Sequence, residues 1–197
     1  MKSFIVAISG ASGSIYGIRL IDALLKSGGF VHLCVSHTAF SIIKTETGIS
    51  WTGRKASDTE KNIRKHFASK NVTYHSEFNL AAPISSGSFI TEGMFIVPCS
   101  MKTLSGIANG YANNLIERAA DVAIKEGRKL ILAPREMPLS AIHLENMLKL
   151  SRLGVTIASP MPAFYQNPKD IKDIVDFVVG KILDSAGVKH SLFKRWG

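Results

Sequence analysis

The sequence predicts a single-domain α/β protein of three layers, in which helices cover both faces of a parallel sheet. Short, uninterrupted runs rich in Ile and Val are typical of strands that are buried on both faces. Segments with apolar residues three or four positions apart follow these runs and are typical of amphipathic helices. The two patterns alternate along 197 residues, a length that suits one domain.

The predicted strands are taken in chain order at residues 4–9, 30–35, 94–98, 129–134 and 155–158. Helical periodicity fills the intervals between them at residues 15–26, 39–47, 113–126, 142–153 and 171–183. The pattern is least regular between residues 48 and 88, where we predict a helix at 59–68 and a strand at 72–74. Ligands of parallel α/β sheets bind at the carboxyl ends of the strands, so residues that directly follow each strand are the functional candidates.

Charge and composition narrow the classes of partner. The 24 Lys and Arg residues against 15 Asp and Glu give a net charge of +9, which favours anionic partners. The basic stretch at residues 54–70 is interrupted by Asp58 and Glu60 and carries no nucleic-acid recognition motif with interleaved aromatic residues. Small phosphate ligands are therefore favoured over nucleic acid. The first apolar run is too short for a signal peptide or a membrane span, which predicts a cytoplasmic protein. Cys34 and Cys99 lie in strand-like runs, are expected to be buried reduced thiols, and have no zinc-ligand spacing with His residues.

A glycine-rich turn, Gly10-Ala11-Ser12-Gly13, follows the first predicted strand and opens a helix. Its amides and the helix dipole would suit a phosphate, although a tight turn in which Gly17 lets the helix approach the sheet needs no ligand. The turn is not the G-x-G-x-x-G fingerprint, and Ser36 follows the second strand where an NAD site would have an acidic residue. A mononucleotide is therefore favoured over NAD, while Ser36 could also simply cap a helix.

Three later strands are followed by further polar residues. Ser100 and Thr103 could wrap an anion or cap the next helix. Arg135 and Glu136 lie between two prolines, and a cation and a carboxylate on a stiff loop suit a phosphate clamp beside a general acid or base. A surface ion pair is the alternative. Tyr165 follows the last strand and is either a presented hydroxyl or a core ring with a wet edge.

Two helices carry spaced charges. Arg118 and Lys125 are seven positions apart and share roughly one helix face, as ordinary surface charges also would. Asp170, Asp173 and Asp176 recur every three residues without an adjacent Asp-Asp pair, so we interpret them as a solvated face rather than a metal site.

Several motifs together, in their order along nearly the whole chain, resemble the UbiX flavin prenyltransferases. The motifs are Gly10-Ala11-Ser12-Gly13, Ser85-Ser86-Gly87-Ser88, residues 98–104, residues 114–121, Pro134-Arg135-Glu136-Met137-Pro138, residues 143–147, residues 162–165 and Arg195-Trp196. The resemblance implies a metal-independent enzyme that joins the dimethylallyl group of dimethylallyl monophosphate to N5 and C6 of reduced FMN. Its product would be the prenylated FMN cofactor of UbiD-type decarboxylases. The resemblance also implies a flavodoxin-like or Rossmann-like three-layer fold, assembled into a large homo-oligomer, commonly a dodecamer, with FMN at subunit contacts.

The resemblance also assigns residues to roles. FMN contacts fall on Gly10, Ala11, Ser12, Ser36, Ser100, Met101, Lys102, Thr103 and Arg135. Contacts to the donor phosphate, partly from a neighbouring subunit, fall on Lys125, Arg135, Glu136, Tyr165 and Lys181, with Arg118 as a further active-site arginine. Catalytic roles fall on Ser12, Glu46, Lys125, Glu136 and Trp196. The implied cations would stabilise a departing phosphate, which explains how metal could be dispensable. The tail at about residues 186–197 is expected to pack on neighbouring subunits.

Two positions depart from the pattern of the family, which has Arg at the position of Lys181 and an aromatic residue at the position of Leu80. These changes are expected to affect rate or prenyl donor more than reaction class. One alternative is an FMN-binding small subunit or carrier of an aromatic-acid decarboxylase, which would not need Lys125, Glu136 and Tyr165 together. Another is a cysteine-decarboxylating flavoprotein, which would carry Pro-Ala-Met-Asn in place of Pro134-Arg135-Glu136.

Overall fold

One parallel sheet of six strands forms the centre of the protein, in a computed structural model that describes residues 1–195. The strands are β1 (Ser3–Ile8), β2 (Phe30–Val35), β3 (Val72–Ser76), β4 (Gly93–Cys99), β5 (Leu130–Pro134) and β6 (Thr156–Ile157). Their order is β3-β2-β1-β4-β5-β6, and every neighbouring pair is parallel. The strand order reverses between β1 and β4, since β2 and β3 lie on one side of β1 and β4 to β6 lie on the other. Ligands of doubly wound sheets bind at this switch point.

Seven helices cover the two faces of this sheet. They are α1 (Ser14–Lys26), α2 (His37–Thr47), α3 (Ala56–Phe67), α4 (Met101–Ala108), α5 (Leu115–Lys125), α6 (Ala141–Arg152) and α7 (Ile171–Ala186). Because side chains alternate along a strand, Phe4, Val6 and Ile8 of β1 join a core with α1, α2, α3 and α7. Ile5 and Ala7 join a second core with α4, α5 and α6. The predicted three-layer α/β fold with a parallel sheet is confirmed.

The elements differ from the sequence prediction mainly in length. Helix α3 begins three residues before the predicted start, β3 extends two residues further, and β6 has only two residues. Helix α4 was not predicted, because its eight residues give barely two turns of periodicity and include Gly106. A Cβ at Gly106 would lie 2.8 Å from a carboxylate oxygen of the buried Glu117, so this helix needs glycine there.

Helix α1 lies unusually close to the sheet at Gly17. A Cβ at this position would lie only 2.2 Å from the carbonyl oxygen of Val97 in β4. The predicted role of Gly17 in the approach of helix and sheet is therefore confirmed.

The interpretation of the three spaced aspartates as a solvated face is wrong for Asp176. Its side chain is buried, with Arg19 Nε 2.5 Å and Lys172 Nζ 3.2 Å from its carboxylate oxygens. Although burial opposes ionisation, hydrogen bonds from Arg19 and Lys172 hold the pKa of the Asp176 carboxyl below its usual value. The reason is tertiary, since this face of α7 packs against α1.

Both cysteines are buried and unpaired, as predicted. Burial raises the pKa of each thiol well above its ordinary value. Among the helices described within residues 1–195, none is both long and apolar enough to cross a bilayer.

Candidate active site

The carboxyl ends of β1, β2, β4 and β5 are tied together by hydrogen bonds that bring the predicted polar residues to one edge. The Ser9 hydroxyl donates to the Pro98 carbonyl at 3.1 Å and accepts from the Ser100 amide at 2.8 Å. The Ser36 amide donates to the last carbonyl of β1 at 3.0 Å, and the Arg135 amide donates to the last carbonyl of β4 at 3.2 Å. Ser36, Ser100 and Arg135 therefore begin the loops of one crevice at the switch point.

Ser36 and Ser100 cap the helices that begin there. The Ser36 hydroxyl accepts from the Ala39 amide at 3.3 Å, and the Ser100 hydroxyl accepts from the Thr103 amide at 3.3 Å. The amides of Met101 and Lys102, at the start of α4, have no acceptor among residues 1–195. The predicted capping by the two serines is therefore confirmed. Free amides at a helix start favour an anion, so anion binding at the same place stays a prediction.

The start of α1 has an internal anion instead. The Glu46 carboxylate accepts from the Gly13 amide at 3.1 Å, from the Ser14 amide at 2.9 Å and from the Ser14 hydroxyl at 2.7 Å. Partial burial works against the charge, but hydrogen bonds from Ser12, Ser14 and Gly13 hold the pKa of the Glu46 carboxyl below its usual value. The sequence suggested a phosphate at this turn, yet these two amides already bind a side chain from α2.

Arg135 and Glu136 point to different partners in the exposed loop after β5. Arg135 Nε donates to the Ser12 carbonyl at 3.3 Å, so it links β5 to the glycine-rich turn. The Glu136 carboxylate accepts from the Met137 amide at 3.1 Å. Within residues 1–195 these two side chains form no ion pair with each other, so the alternative of a surface ion pair is not realised.

Lys125 and Arg118 lie elsewhere. Lys125 Nζ pairs with Glu126 at 2.8 Å, while Arg118 pairs with Asp121 at 2.8 Å and donates to the Ser85 carbonyl at 3.2 Å. Lys125 precedes the amino end of β5, whereas Glu136 follows its carboxyl end, and a strand of five residues is about 16 Å long. One chain therefore does not place Lys125 and Glu136 on the same phosphate.

Two further residues predicted to bind the donor phosphate are Tyr165 and Lys181. The Tyr165 side chain is exposed and its ring stands edge-on to Phe177 with centroids 5.6 Å apart. Lys181 is exposed on α7, about one helical turn beyond Phe177. Leu80, the departing position, is also exposed. Trp196, predicted as catalytic, lies outside the described residues.

Sequence reasoning missed the contributions of Ser9 and Glu77. Ser9 was treated as the end of the first strand, although a buried hydroxyl at a strand end is itself a signal of a cross-strand link. Glu77 follows β3, and its carboxylate accepts from the His37 amide at the start of α2. No group of three or more metal-ligating side chains occurs in the described part of the chain.

Comparisons with known proteins place this geometry in a family. The family model described as Flavoprotein matches residues 1–183. The flavin prenyltransferase UbiX of Halalkalibacterium halodurans is 50% identical over 196 residues, covering 98% of this chain and 93% of that protein. The flavin prenyltransferase UbiX of Methanocaldococcus jannaschii is 50% identical over 193 residues, covering 98% and 97%. The chain belongs to the UbiX family of flavin prenyltransferases.

Solved structures agree with this membership. A dodecameric FMN-dependent UbiX-like decarboxylase from Escherichia coli superposes with a TM-score of 0.88 at 47% identity, covering 99% of each chain. AnUbiX in complex with FMN and dimethylallyl pyrophosphate superposes with a TM-score of 0.90 at 41% identity, covering 100% of this chain and 97% of that one. The FMN-dependent cysteine decarboxylase TvaF, at 17% identity and a TM-score of 0.61, shares the fold alone. The resemblance predicted from the UbiX motifs is confirmed.

Proposed function

We propose that this UbiX protein is a flavin prenyltransferase that joins the dimethylallyl group of dimethylallyl monophosphate to N5 and C6 of reduced FMN. The product is prenylated FMN, the cofactor of UbiD-type decarboxylases. The observation that carries the proposal is the position of Arg135 and Glu136 at the same sheet edge as two capping hydroxyls and two free helix amides. One edge thereby offers a site for a flavin phosphate beside a cation and a carboxylate.

The donor groups at this edge suit the phosphate of FMN. The Ser36 and Ser100 hydroxyls and the Met101 and Lys102 amides are hydrogen-bonding groups at the starts of α2 and α4, where the helix dipoles favour an anion. Gly10 keeps the neighbouring turn open, because a Cβ there would lie 2.8 Å from the Thr38 hydroxyl. Reduced FMN, when bound, supplies the nucleophilic nitrogen and carbon of the reaction.

The residues of the chain hold the donor phosphate and move protons. The Nη groups of Arg135 have no partner among residues 1–195, since only Nε binds Ser12, and their charge would stabilise the phosphate as it leaves. Glu136 would donate a proton to a phosphate oxygen as general acid. Glu46, ionised and hydrogen-bonded to Ser12, would accept a proton through that hydroxyl. Tyr165 and Lys181 would complete the phosphate contacts. The family resemblance gives Trp196, which lies outside the described residues, a catalytic role.

A further cation would come from another subunit. Lys125 lies on the amino side of β5, so a neighbouring chain must bring it to the crevice that holds Glu136. Arg118 lies two helical turns earlier on α5, nearer the carboxyl ends, because the Leu115 amide at the start of that helix donates to the Glu77 carbonyl beyond β3. A dodecamer, the state that the Escherichia coli relative adopts, would repeat such a shared site around the assembly.

Light scattering at micromolar concentration should therefore give a particle well beyond a dimer, and a monomer would contradict a shared site.

An anaerobic assay tests the function. The purified protein is mixed with reduced FMN and dimethylallyl monophosphate, and the flavin is weighed by mass spectrometry. We expect FMN enlarged by one five-carbon unit in the complete mixture, and unchanged FMN when the donor is omitted. Unchanged FMN in both mixtures would favour the carrier, and turnover of an aromatic acid by this chain alone would favour the decarboxylase subunit. The cytoplasmic location stays a prediction.

A further inference from the structure

The chain turns back on itself after α7. Gly187 ends the helix with a φ of +73°, a conformation that glycine adopts readily. Val188, Leu192 and Phe193 then pack against the core that contains α7. We call residues 187–195 the C-terminal brace. This described part of the tail lies on its own chain, while the predicted contact with neighbouring subunits stays a prediction.

Asp184 fastens the brace to α7. Its carboxylate lies 3.1 Å from His190 Nε2 and accepts from Arg195 Nη2 at 2.7 Å and Nη1 at 3.3 Å. The hydrogen bonds from Arg195 hold the pKa of the Asp184 carboxyl below its usual value, so the clamp stays charged near neutral pH. The middle of the brace and its far end are thereby anchored at one side chain.

A row of aromatic rings leads from the brace to Tyr165. Phe193 lies with its ring centroid 5.1 Å from that of Phe177, and Phe177 lies 5.6 Å from Tyr165. Gly180 makes the first contact possible, because a Cβ on it would lie 2.4 Å from the Phe193 ring. The position of Phe193 therefore limits where Phe177 and, through it, Tyr165 can lie.

The loop that carries Tyr165 has a second link to the brace. Gln166 Nε2 donates to the Lys194 carbonyl at 3.0 Å. Two other hydrogen bonds of this loop, from Met161 to Ser159 and from Asn167 to Phe164, are internal turns. The brace thus holds the loop by both a ring contact and a backbone carbonyl.

On the basis of the proposed function, we propose that the C-terminal brace positions Tyr165 for the phosphate of the prenyl donor, with Asp184 and Phe193 as positioning residues. A loop held in its binding conformation before the ligand arrives loses less conformational entropy on binding. The brace should therefore increase affinity for the donor phosphate and leave the flavin site, at the ends of β2 and β4, unaffected.

Gly180→Ala is the sharpest test, because it removes no side chain of the brace, while its added Cβ displaces the Phe193 ring and also meets His190 Cε1 at 2.7 Å. Ala also favours the helix more than Gly does, so a role limited to the stability of α7 predicts no loss. The affinity for dimethylallyl monophosphate is measured by calorimetry on protein loaded with oxidised FMN, with which the proposed reaction does not proceed. We expect a Kd about tenfold higher for the donor and a Kd for FMN within about twofold of wild type.

Three further variants complete the series. Phe193→Ala should weaken donor binding to a similar extent, and Phe193→Tyr, which keeps the ring, should restore most of it. Lys189→Ala removes an exposed charge from the same segment without touching the clamp or the rings, so it should bind the donor like wild type. In steady-state assays, Gly180→Ala and Phe193→Ala should raise KM for the donor about tenfold, with kcat changed by less than about threefold.

The possible outcomes test the role of the brace separately from the proposed function. Unchanged donor affinity in both Gly180→Ala and Phe193→Ala overturns the proposal, and so does an equal loss of FMN affinity, since the tail would then support the whole domain. A wild-type protein that binds the donor without prenylating FMN contradicts the proposed function alone, and the affinity comparison still decides the brace. A wild-type protein that does not bind the donor contradicts both.

Discussion

Arg135 and Glu136 are adjacent in sequence but act on different neighbours. Arg135 reaches the backbone of Ser12 across the crevice, whereas the Glu136 carboxylate lies in its own loop against the Met137 amide. Within residues 1–195 no cation pairs with the Glu136 carboxylate, which leaves it able to contact a substrate phosphate. This difference leads to the first prediction.

Glu136→Gln should slow prenyl transfer by roughly 10²-fold or more, the scale of a lost general acid or base, while FMN still binds. The substitution keeps the size and some of the hydrogen bonding of the side chain but removes the exchangeable proton. Anaerobic single-turnover absorbance of the flavin, at matched FMN occupancy, measures the rate. Glu92→Gln, at an exposed carboxylate on the opposite edge of the sheet, is the matched control. Equal rates in all three proteins would remove Glu136 from the catalytic set.

His32 and His75 form a partly buried pair on neighbouring strands. His32 Nδ1 lies 3.1 Å from His75 Nε2, and the two rings stack with centroids 5.4 Å apart. Burial, together with the charge that His75 would carry, lowers the pKa of His32 to about 4, and burial lowers the pKa of His75 despite the nearby Glu60. The unfolded chain therefore binds more protons than the folded one below the ordinary histidine pKa.

Because the unfolded chain binds more protons, the free energy of unfolding should decrease in mild acid. The contribution of the pair is complete above about pH 6.5 and should fall by roughly 1–2 kcal/mol per protein as the pH drops from 7 toward 4.5, allowing for partial solvent screening. Urea unfolding across this pH range should show the slope in wild type and a flatter one in the double variant His32→Leu, His75→Leu. His37→Gln, at an exposed histidine, should keep the wild-type slope. A double variant with an unaltered slope would show that the pair does not cause it.

At the scale of secondary structure, the contact between α1 and β4 depends on one missing side chain. Gly17→Ala should destabilise the protein by about 1–3 kcal/mol, because the added Cβ would meet the Val97 carbonyl at 2.2 Å. Helix propensity alone predicts the opposite sign, since Ala stabilises a helix interior relative to Gly by about 0.5–1 kcal/mol. Urea denaturation measures the change. Thr45→Ala, at an exposed position of α2, should be neutral or slightly stabilising, and a similar gain in Gly17→Ala would contradict the close approach.

The packing of α2 against α1 also decides what the glycine-rich turn binds. Glu46 belongs to the last turn of α2, yet its carboxylate lies at the start of α1 because the two helices are neighbours on one face of the sheet. The helix dipole favours an anion there, and the anion is a side chain of the protein. We therefore expect the flavin phosphate at the starts of α2 and α4 rather than at this turn.

At the scale of the whole molecule, the separation of Lys125 from Glu136 predicts that two subunits share each site. Lys125→Ala and Glu136→Gln should each be nearly inactive alone. Subunits of the two variants, mixed under conditions of exchange, should regain activity up to about a quarter of wild type, because one site in four would combine two intact halves. Prenyl transfer by the mixed oligomer is the measurement.

A second mixture of variants is the control for any regain of activity that does not depend on shared sites. Combining Glu136→Gln with Arg135→Ala, which alter the same loop of one subunit, should restore nothing. If the first mixture is also inactive after verified exchange, all the catalytic groups must act within one chain.

Most of the fold followed from periodicity, and most of the candidate site followed from the positions of polar residues after strands. The strand pattern is readable because the four inner strands β1, β2, β4 and β5 are largely buried. The residues that end parallel strands necessarily lie on one side of the sheet. Helix α4 was missed because it is short and contains Gly106. Asp176 was misread because spacing within one helix does not reveal which side another helix covers.

The sequence by itself determined the α/β class, the crevice at the carboxyl ends, the buried cysteines and the UbiX motifs, because these depend on local periodicity and residue order. Only the tertiary structure decided that Glu46 caps α1, that Lys125 and Glu136 lie at opposite ends of β5, and that the brace reaches Tyr165. The physical reason is that a charge or a ring finds its partner through packing between elements distant in sequence. The spacing of residues along the sequence does not specify those distances.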